Sequence, residues 1–206
     1  MTISEERLQY LELLSQKFPS PAQVSTEIIN LNAILGLPKG SEHYISDIHG
    51  EYRFFMHILK NASGSVRRKI TQCFTEQEMS AKEVDALATL IYYPEEKLAL
   101  LKEENGPLSE SWYTATLLHL VQVCRKATSK YTRSKVRKAM PKDFSYIIDE
   151  LLNYSEADED DNRTTYVHNI VKSIIEIGSA DAFIIAISEL IQHAVIDKLH
   201  IVGDIF

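Results

Sequence analysis

Two short β-prone segments, His43-Tyr44-Ile45-Ser46 and Leu199-His200-Ile201-Val202, each run directly into an Asp-containing turn. Nearly everything between them reads as helix. Parallel neighbours in one sheet must be joined by a crossover, ordinarily a single helix of about a dozen residues. Here the crossover would occupy about 150 residues, many times the usual length. The chain is therefore expected to be mainly α, with two β-strands of an α/β sheet and a large helical insertion between them. More than half the residues should be helical and under a tenth in strands.

Apolar periodicity and caps place the helices. Thr2 with Glu5 forms a capping box before Leu8, Leu11, Leu14 and Phe18. Ser20-Pro21 sets a cap before a first-turn proline, and Val24, Ile28, Leu31 and Leu35 make a stripe that stops at Gly36. Further helices are predicted near 51–61, 77–91, 95–105, 109–128, 142–154, 164–177 and 180–195. This divides the chain into an N-terminal helical segment (1–40), a first strand and helix (41–62), a helical insertion (63–196) and a second strand (197–206).

Composition narrows the function classes. A net charge of −7 argues against general nucleic-acid binding but allows a local basic patch. Two cysteines, Cys73 and Cys124, make neither a metal-like spacing nor a disulfide framework. The acidic N-terminus is wrong for a signal peptide, and no apolar run approaches the roughly 20 residues that span a bilayer. The expectation is a soluble cytoplasmic protein without membrane or nucleic-acid partners.

The stretch Ser46-Asp47-Ile48-His49-Gly50 carries the most chemistry. If Asp47 ends a strand, Asp47 and His49 lie two residues apart and can project to one side. A carboxylate and an imidazole converging there are suitable ligands for a first-row metal. The carboxyl end of a strand is also where open α/β sheets place their ligands. Taken alone, Asp-x-His is equally a turn Asp beside a packed His. The second segment ends Val202-Gly203-Asp204, so parallel pairing would bring Asp204 beside Asp47 and His49. An Asp between two cations can bridge them, an arrangement suited to in-line displacement at phosphorus.

These residues resemble the metallophosphoesterase signature, which opens with Asp-x-His and continues with Gly-Asp-x-x-Asp-Arg. Gly203-Asp204-Ile205-Phe206 is similar to the first four residues of that second block. A closer resemblance rests on Thr26-Glu27-Ile28-Ile29-Asn30-Leu31, Leu37-Pro38-Lys39-Gly40, Ser46-Asp47-Ile48-His49-Gly50-Glu51-Tyr52, Tyr92-Tyr93-Pro94-Glu95 and Ser129-Lys130-Tyr131-Thr132-Arg133-Ser134-Lys135. All of them are similar to class III fructose-1,6-bisphosphatase, the manganese-dependent gluconeogenic enzyme of Firmicutes and related bacteria. The resemblance implies hydrolysis of a sugar bisphosphate over two Mn²⁺ ions. It makes Asp47, His49 and Asp204 metal ligands, with Asp204 bridging, and puts the general acid and further ligands beyond Phe206. It also implies nucleotide or phosphoenolpyruvate effectors, assigns them no residue, and leaves a homo-oligomer open. On this reading the chain is an incomplete N-terminal piece, inactive alone. The alternatives are another metallophosphoesterase (a protein phosphatase or dinucleotide polyphosphate hydrolase) and a non-catalytic helical interaction module.

Other features have plainer readings. His43 could orient a ligand but reads first as a strand residue, and His200 as a satisfied sheet histidine. His57, His119, His168 and His193 fall on predicted helices without paired spacing. Trp112 and the tyrosines read as core or contact residues. The acidic run from Ser155 to Asn162 lacks EF-hand spacing and reads as a solvated loop. From Arg125 to Lys142 there are eight cations and no acid, either a solvated face or a site for an anionic metabolite or an acidic partner surface.

Overall fold

A computed structural model describes residues 3–153 and 161–206. The acidic run, apart from its last two residues, lies outside them. The chain divides into two compact units, Met1–Lys39 and Gly40–Phe206.

The first unit holds α1 (Glu5–Lys17) and α2 (Pro21–Leu35). Thr2 lies outside the described residues, and α1 is capped instead by Ser4, whose Oγ accepts from the Arg7 amide. Starting there puts Glu5 and Glu6 in the first turn, where carboxylates favour the positive end of the helix dipole. The Ser20 cap, the Pro21 start and the stop at Gly36 fall as the pattern predicts. No residue of either helix is buried.

The second unit begins with β1 (Glu42–Ile45) and α3 (Tyr52–Asn61) and continues through α4 (Ser65–Cys73), α5 (Ala81–Tyr92), α6 (Pro94–Asn105) and α7 (Glu110–Thr128). It closes with α8 (Arg133–Ala139), α9 (Ser145–Leu152), α10 (Asp161–Glu176), α11 (Ala180–Val195) and β2 (Lys198–Ile201). The mainly α expectation holds, with well over half of the described residues helical. β1 and β2 pair in parallel, Glu42 opposite Lys198 and Ile45 opposite Ile201.

Two helices went unpredicted. α4 presents only Val66, Ile70 and Cys73 as apolar residues and α8 only Val136 and Ala139, too little to make a legible stripe. α5 starts at 81 rather than 77 because Ser80 and Glu83 form a reciprocal capping box. The helix expected at 142–154 opens with a 3₁₀ turn at Lys142–Phe144, and the one expected at 164 starts at Asp161.

The core sits among the helices of the insertion. α11 is apolar nearly all round, and such a helix must be enclosed. Phe183, Ile184, Ile187 and Ile191 are fully buried, packed with Leu120, Val123 and Cys124 of α7, Ile91 of α5 and Ile70 of α4. Replacing Ile187 by Ala should cost about 2–5 kcal/mol of unfolding free energy, through lost burial and the cavity left behind. Leu100→Ala, at a position 43% exposed, should cost less than about 1 kcal/mol in the same urea titration. Burial pushes the Cys124 thiol up to about 12 and raises that of Cys73 as well. A thiol reagent near neutral pH should therefore leave Cys124 unmodified until urea unfolds the chain.

Candidate functional site at the strand ends

The ladder continues one bond past the strands, where the Val202 amide donates to the Ile45 carbonyl at 2.9 Å. Beyond it the chains come too close for a side chain. A Cβ at Gly203 would lie 2.1 Å from Asp47 Oδ1 and 2.5 Å from the Ser46 carbonyl oxygen. Only glycine fits, and its absence of side chain lets Asp204 reach the first segment. The Asp204 amide donates to Asp47 Oδ1 at 2.9 Å. The Asp204 carbonyl accepts from the amides of Ile48 (2.7 Å) and His49 (3.5 Å), and the Ile205 carbonyl from Gly50 (2.9 Å).

His49 and Gly50 both take left-handed backbone, with φ of 48° and 68°. For His49 this costs about 1–2 kcal/mol. The double left-handed step turns the chain into α3, with the Glu51 amide donating to the Ile48 carbonyl at 2.9 Å.

Parallel pairing thus sets Asp47 against Asp204. The route differs from strand alternation: β1 ends at Ile45, so Asp47 and His49 lie on a turn and a period of two does not relate them. All three side chains are exposed, and among the described residues no group of three His, Cys, Asp or Glu side chains is gathered closely enough to hold a metal ion. The donor types, two carboxylates and an imidazole, fit a hard first-row dication in kind. Their present placement ties the Asp47 carboxylate to the Asp204 main chain rather than closing a ligand set.

The neighbouring histidines have structural partners. His200 stacks on Tyr44, its register partner, at 4.6 Å, and its Nε2 lies 3.2 Å from Glu42 Oε2. His43 Nε2 bonds the Ala62 carbonyl at 3.1 Å rather than a ligand, leaving a buried Nδ1 without a partner. His57 pairs with the Tyr93 hydroxyl, and His168 with the Thr164 carbonyl. His119 meets Phe74 edge-on, and burial lowers its pKa.

Several cations of the basic segment are engaged within the chain. Arg125 donates to the carbonyls of Leu151 and Leu152, closing the end of α9. Arg137 and Arg133 both reach Asp149, and the Arg137 hydrogen bond outweighs burial to hold that carboxyl below its usual range. Lys130 pairs with Asp197, with both side chains about nine-tenths buried. Asp197 and Ser41 escaped the sequence reading; the available signal was their position directly before the two strands. A cavity of about 270 Å³ among α5, α6 and α7, lined by Leu87, Leu90, Leu101, Trp112 and His119, was also unforeseen. It includes none of Asp47, His49 and Asp204.

A parallel strand pair with acidic turns at its carboxyl ends and a helical crossover is the opening of an α/β domain that takes its ligand at the strand ends. The family model for Firmicute fructose-1,6-bisphosphatase matches residues 9–206, and the chain belongs to that family. Proteins named fructose-1,6-bisphosphatase class 3 are similar along nearly all of it. The one from Alkaliphilus metalliredigens is 58% identical over 97% of this chain and 29% of its own length. That from Clostridium tetani is 55% identical over 100% of this chain and 30% of its own, and one from Porphyromonas gingivalis 56% over 97% and 30%. The chain spans about 30% of the length of these relatives. No solved structure matches it significantly. Among the described residues no helix is long and apolar enough to cross a membrane.

Gly203→Ala should push Asp47 and the Ser46 carbonyl away from the second segment. The expected result is displacement of the Asp204 and Ile48 amide resonances in an ¹⁵N NMR spectrum, while those of α7 and α11 stay in place.

Proposed function

We propose that the complete protein hydrolyses fructose 1,6-bisphosphate to fructose 6-phosphate and phosphate, with this chain supplying the first part of its metal centre. The observation that carries the reading is the meeting of Asp204 with Asp47 across Gly203, in a chain of the fructose-1,6-bisphosphatase family.

In this proposal Asp47, His49 and Asp204 would hold the two Mn²⁺ ions, Asp47 and His49 serving one and Asp204 both. The remaining ligands and the general acid come from the part of the relatives' length that this chain does not cover. The metal pair would supply charge to polarise the phosphoryl oxygens and to lower the pKa of a bound water. The chain's own contribution is positional. Gly203 keeps the gap between the segments free of side chain, and the Ile48 and His49 amides fix the Asp204 backbone through its carbonyl. The Asp204 amide holds one oxygen of Asp47 and leaves Oδ2 free of that bond.

In the complete protein, Asp47→Asn should reduce phosphate release from fructose 1,6-bisphosphate by about 100-fold or more, as loss of the metal's activating charge predicts. Excess Mn²⁺ should recover a small part of the loss. Near-normal turnover with normal metal content would overturn the ligand assignment. Diadenosine tetraphosphate and a phosphopeptide, assayed in parallel, should be poor substrates; preference for either would move the activity to another phosphoesterase class. The 206-residue chain alone should show no turnover with added Mn²⁺.

A further inference from the structure

The two strands enter the sheet at Ser41 and Asp197, one step before the paired residues Glu42 and Lys198. The contacts there are denser than anywhere else along the ladder. The Ser41 carbonyl accepts from the amides of Asp197 and Lys198, each at 3.2 Å. The Ser41 amide donates to Asp197 Oδ2 at 2.6 Å, and the Ser41 hydroxyl donates to the Val195 carbonyl at 2.6 Å. Lys130, from the loop between α7 and α8, donates to Asp197 Oδ2 and, at 3.1 Å, to Ser41 Oγ. Its ammonium and that of Lys135 lie over the Tyr131 ring at 5.1 and 3.9 Å, and the Tyr131 hydroxyl donates to the Ala194 carbonyl. A Cβ at Gly40 would stand 2.8 Å from Asp197 Cγ, so the strand entry also needs a residue without a side chain.

A buried ion pair is weak evidence for net stability, because desolvation opposes the attraction. Its best-attested use is to select one register over others. This sheet needs such a device. It has two four-residue strands, and on one face its register pairs, Glu42 with Lys198 and Tyr44 with His200, are largely exposed. Register is weakly specified where little apolar surface is buried. A slip of one residue would move Asp204 by about 3.3 Å along Asp47 and turn alternate side chains to the opposite face.

We propose that the Lys130–Asp197–Ser41 cluster is the register lock of the strand pair, so that Lys130 and Asp197 act as positioning residues for the Asp47–Asp204 site at the far end. The role assigned to that site rests on the proposed function, whereas the lock itself does not. The helical insertion thereby reaches the site through Lys130, with Lys135 Nζ also 3.9 Å from Asp197 Oδ1. It fixes where the strands start, and the ladder carries that choice to where they end.

The test is hydrogen exchange on the 206-residue chain and on Lys130→Met, Lys130→Arg, Asp197→Asn and Asp197→Ala. In Lys130→Met and Asp197→Ala, exchange at the amides of Ile48, Gly50 and Val202 should accelerate by about tenfold or more, with Leu87 and Leu120 inside α5 and α7 unchanged within about twofold. Asp197→Asn keeps an acceptor for the Ser41 amide and should fall between, which preserves the comparison if Asp197→Ala does not fold. Lys130→Arg should restore most of the protection. Uniform acceleration through the helices would show a merely structural pair and overturn the lock, as would unchanged exchange at the strand-end amides. In the complete protein, Lys130→Met should weaken Mn²⁺ binding, read by electron paramagnetic resonance, by about tenfold. Wild-type protein that binds no Mn²⁺ would overturn the functional reading and leave the exchange result standing.

Discussion

The strand-end site depends on a contact made across 156 positions of chain, the pairing of the segment that starts at Ser41 with the one that starts at Asp197. Closing a loop of that length costs about 4–5 kcal/mol in chain entropy before any contact is counted. Two four-residue strands cannot meet that cost, since an isolated pair is marginal in water. The helices between them meet it. Once α4, α5, α7 and α11 bury their shared apolar surface, the ends of the insertion are already close, and the strand pair forms at little further entropic cost. The sheet is thus a consequence of the helical core, although it carries the residues of chemical interest.

The parts of this arrangement differ in how plainly the sequence shows them. α2 and α7 were legible because their caps and stripes satisfy local rules that hold whatever the rest of the chain does, and α11 because its apolar residues run nearly all round. The two strands were legible from β-propensity and the acidic turns after them, and their parallel pairing from the Asp residues they would bring together. α4 and α8 were not, because each buries one edge of a short, mostly polar helix whose helical state is set by tertiary packing. The Lys130–Asp197 pair was hidden for a similar reason. A lysine in a run of eight cations carries no mark that it alone will be enclosed, and an acid 67 positions away supplies no local signal.

The same contrast appears at the site. Asp47, His49 and Asp204 could be named from the sequence as residue types at strand ends. The way they meet could not, because alternation along a strand does not operate where β1 has already ended. The turn is governed by Gly203, which admits the second segment, and by the left-handed backbone at His49 and Gly50, which redirects the first. Gly203 was visible only as part of a motif; its physical role is a distance, 2.1 Å, that no other residue type survives.

The contact between Asp204 and Asp47 ties the carboxylate of one segment to the main chain of the other. The amide donates to Asp47 only when Asp204 occupies its present step on the ladder, and the Ile48 amide finds the Asp204 carbonyl under the same condition. The hold on Asp47 is therefore made by the same contacts that define the register. Slipping the strands by one residue would carry Asp204 about 3.3 Å along the first segment and break both. Strand register and the orientation of Asp47 are coupled in this way, so a residue that fixes the register at Ser41 and Asp197 also influences how Asp47 is held, without touching it.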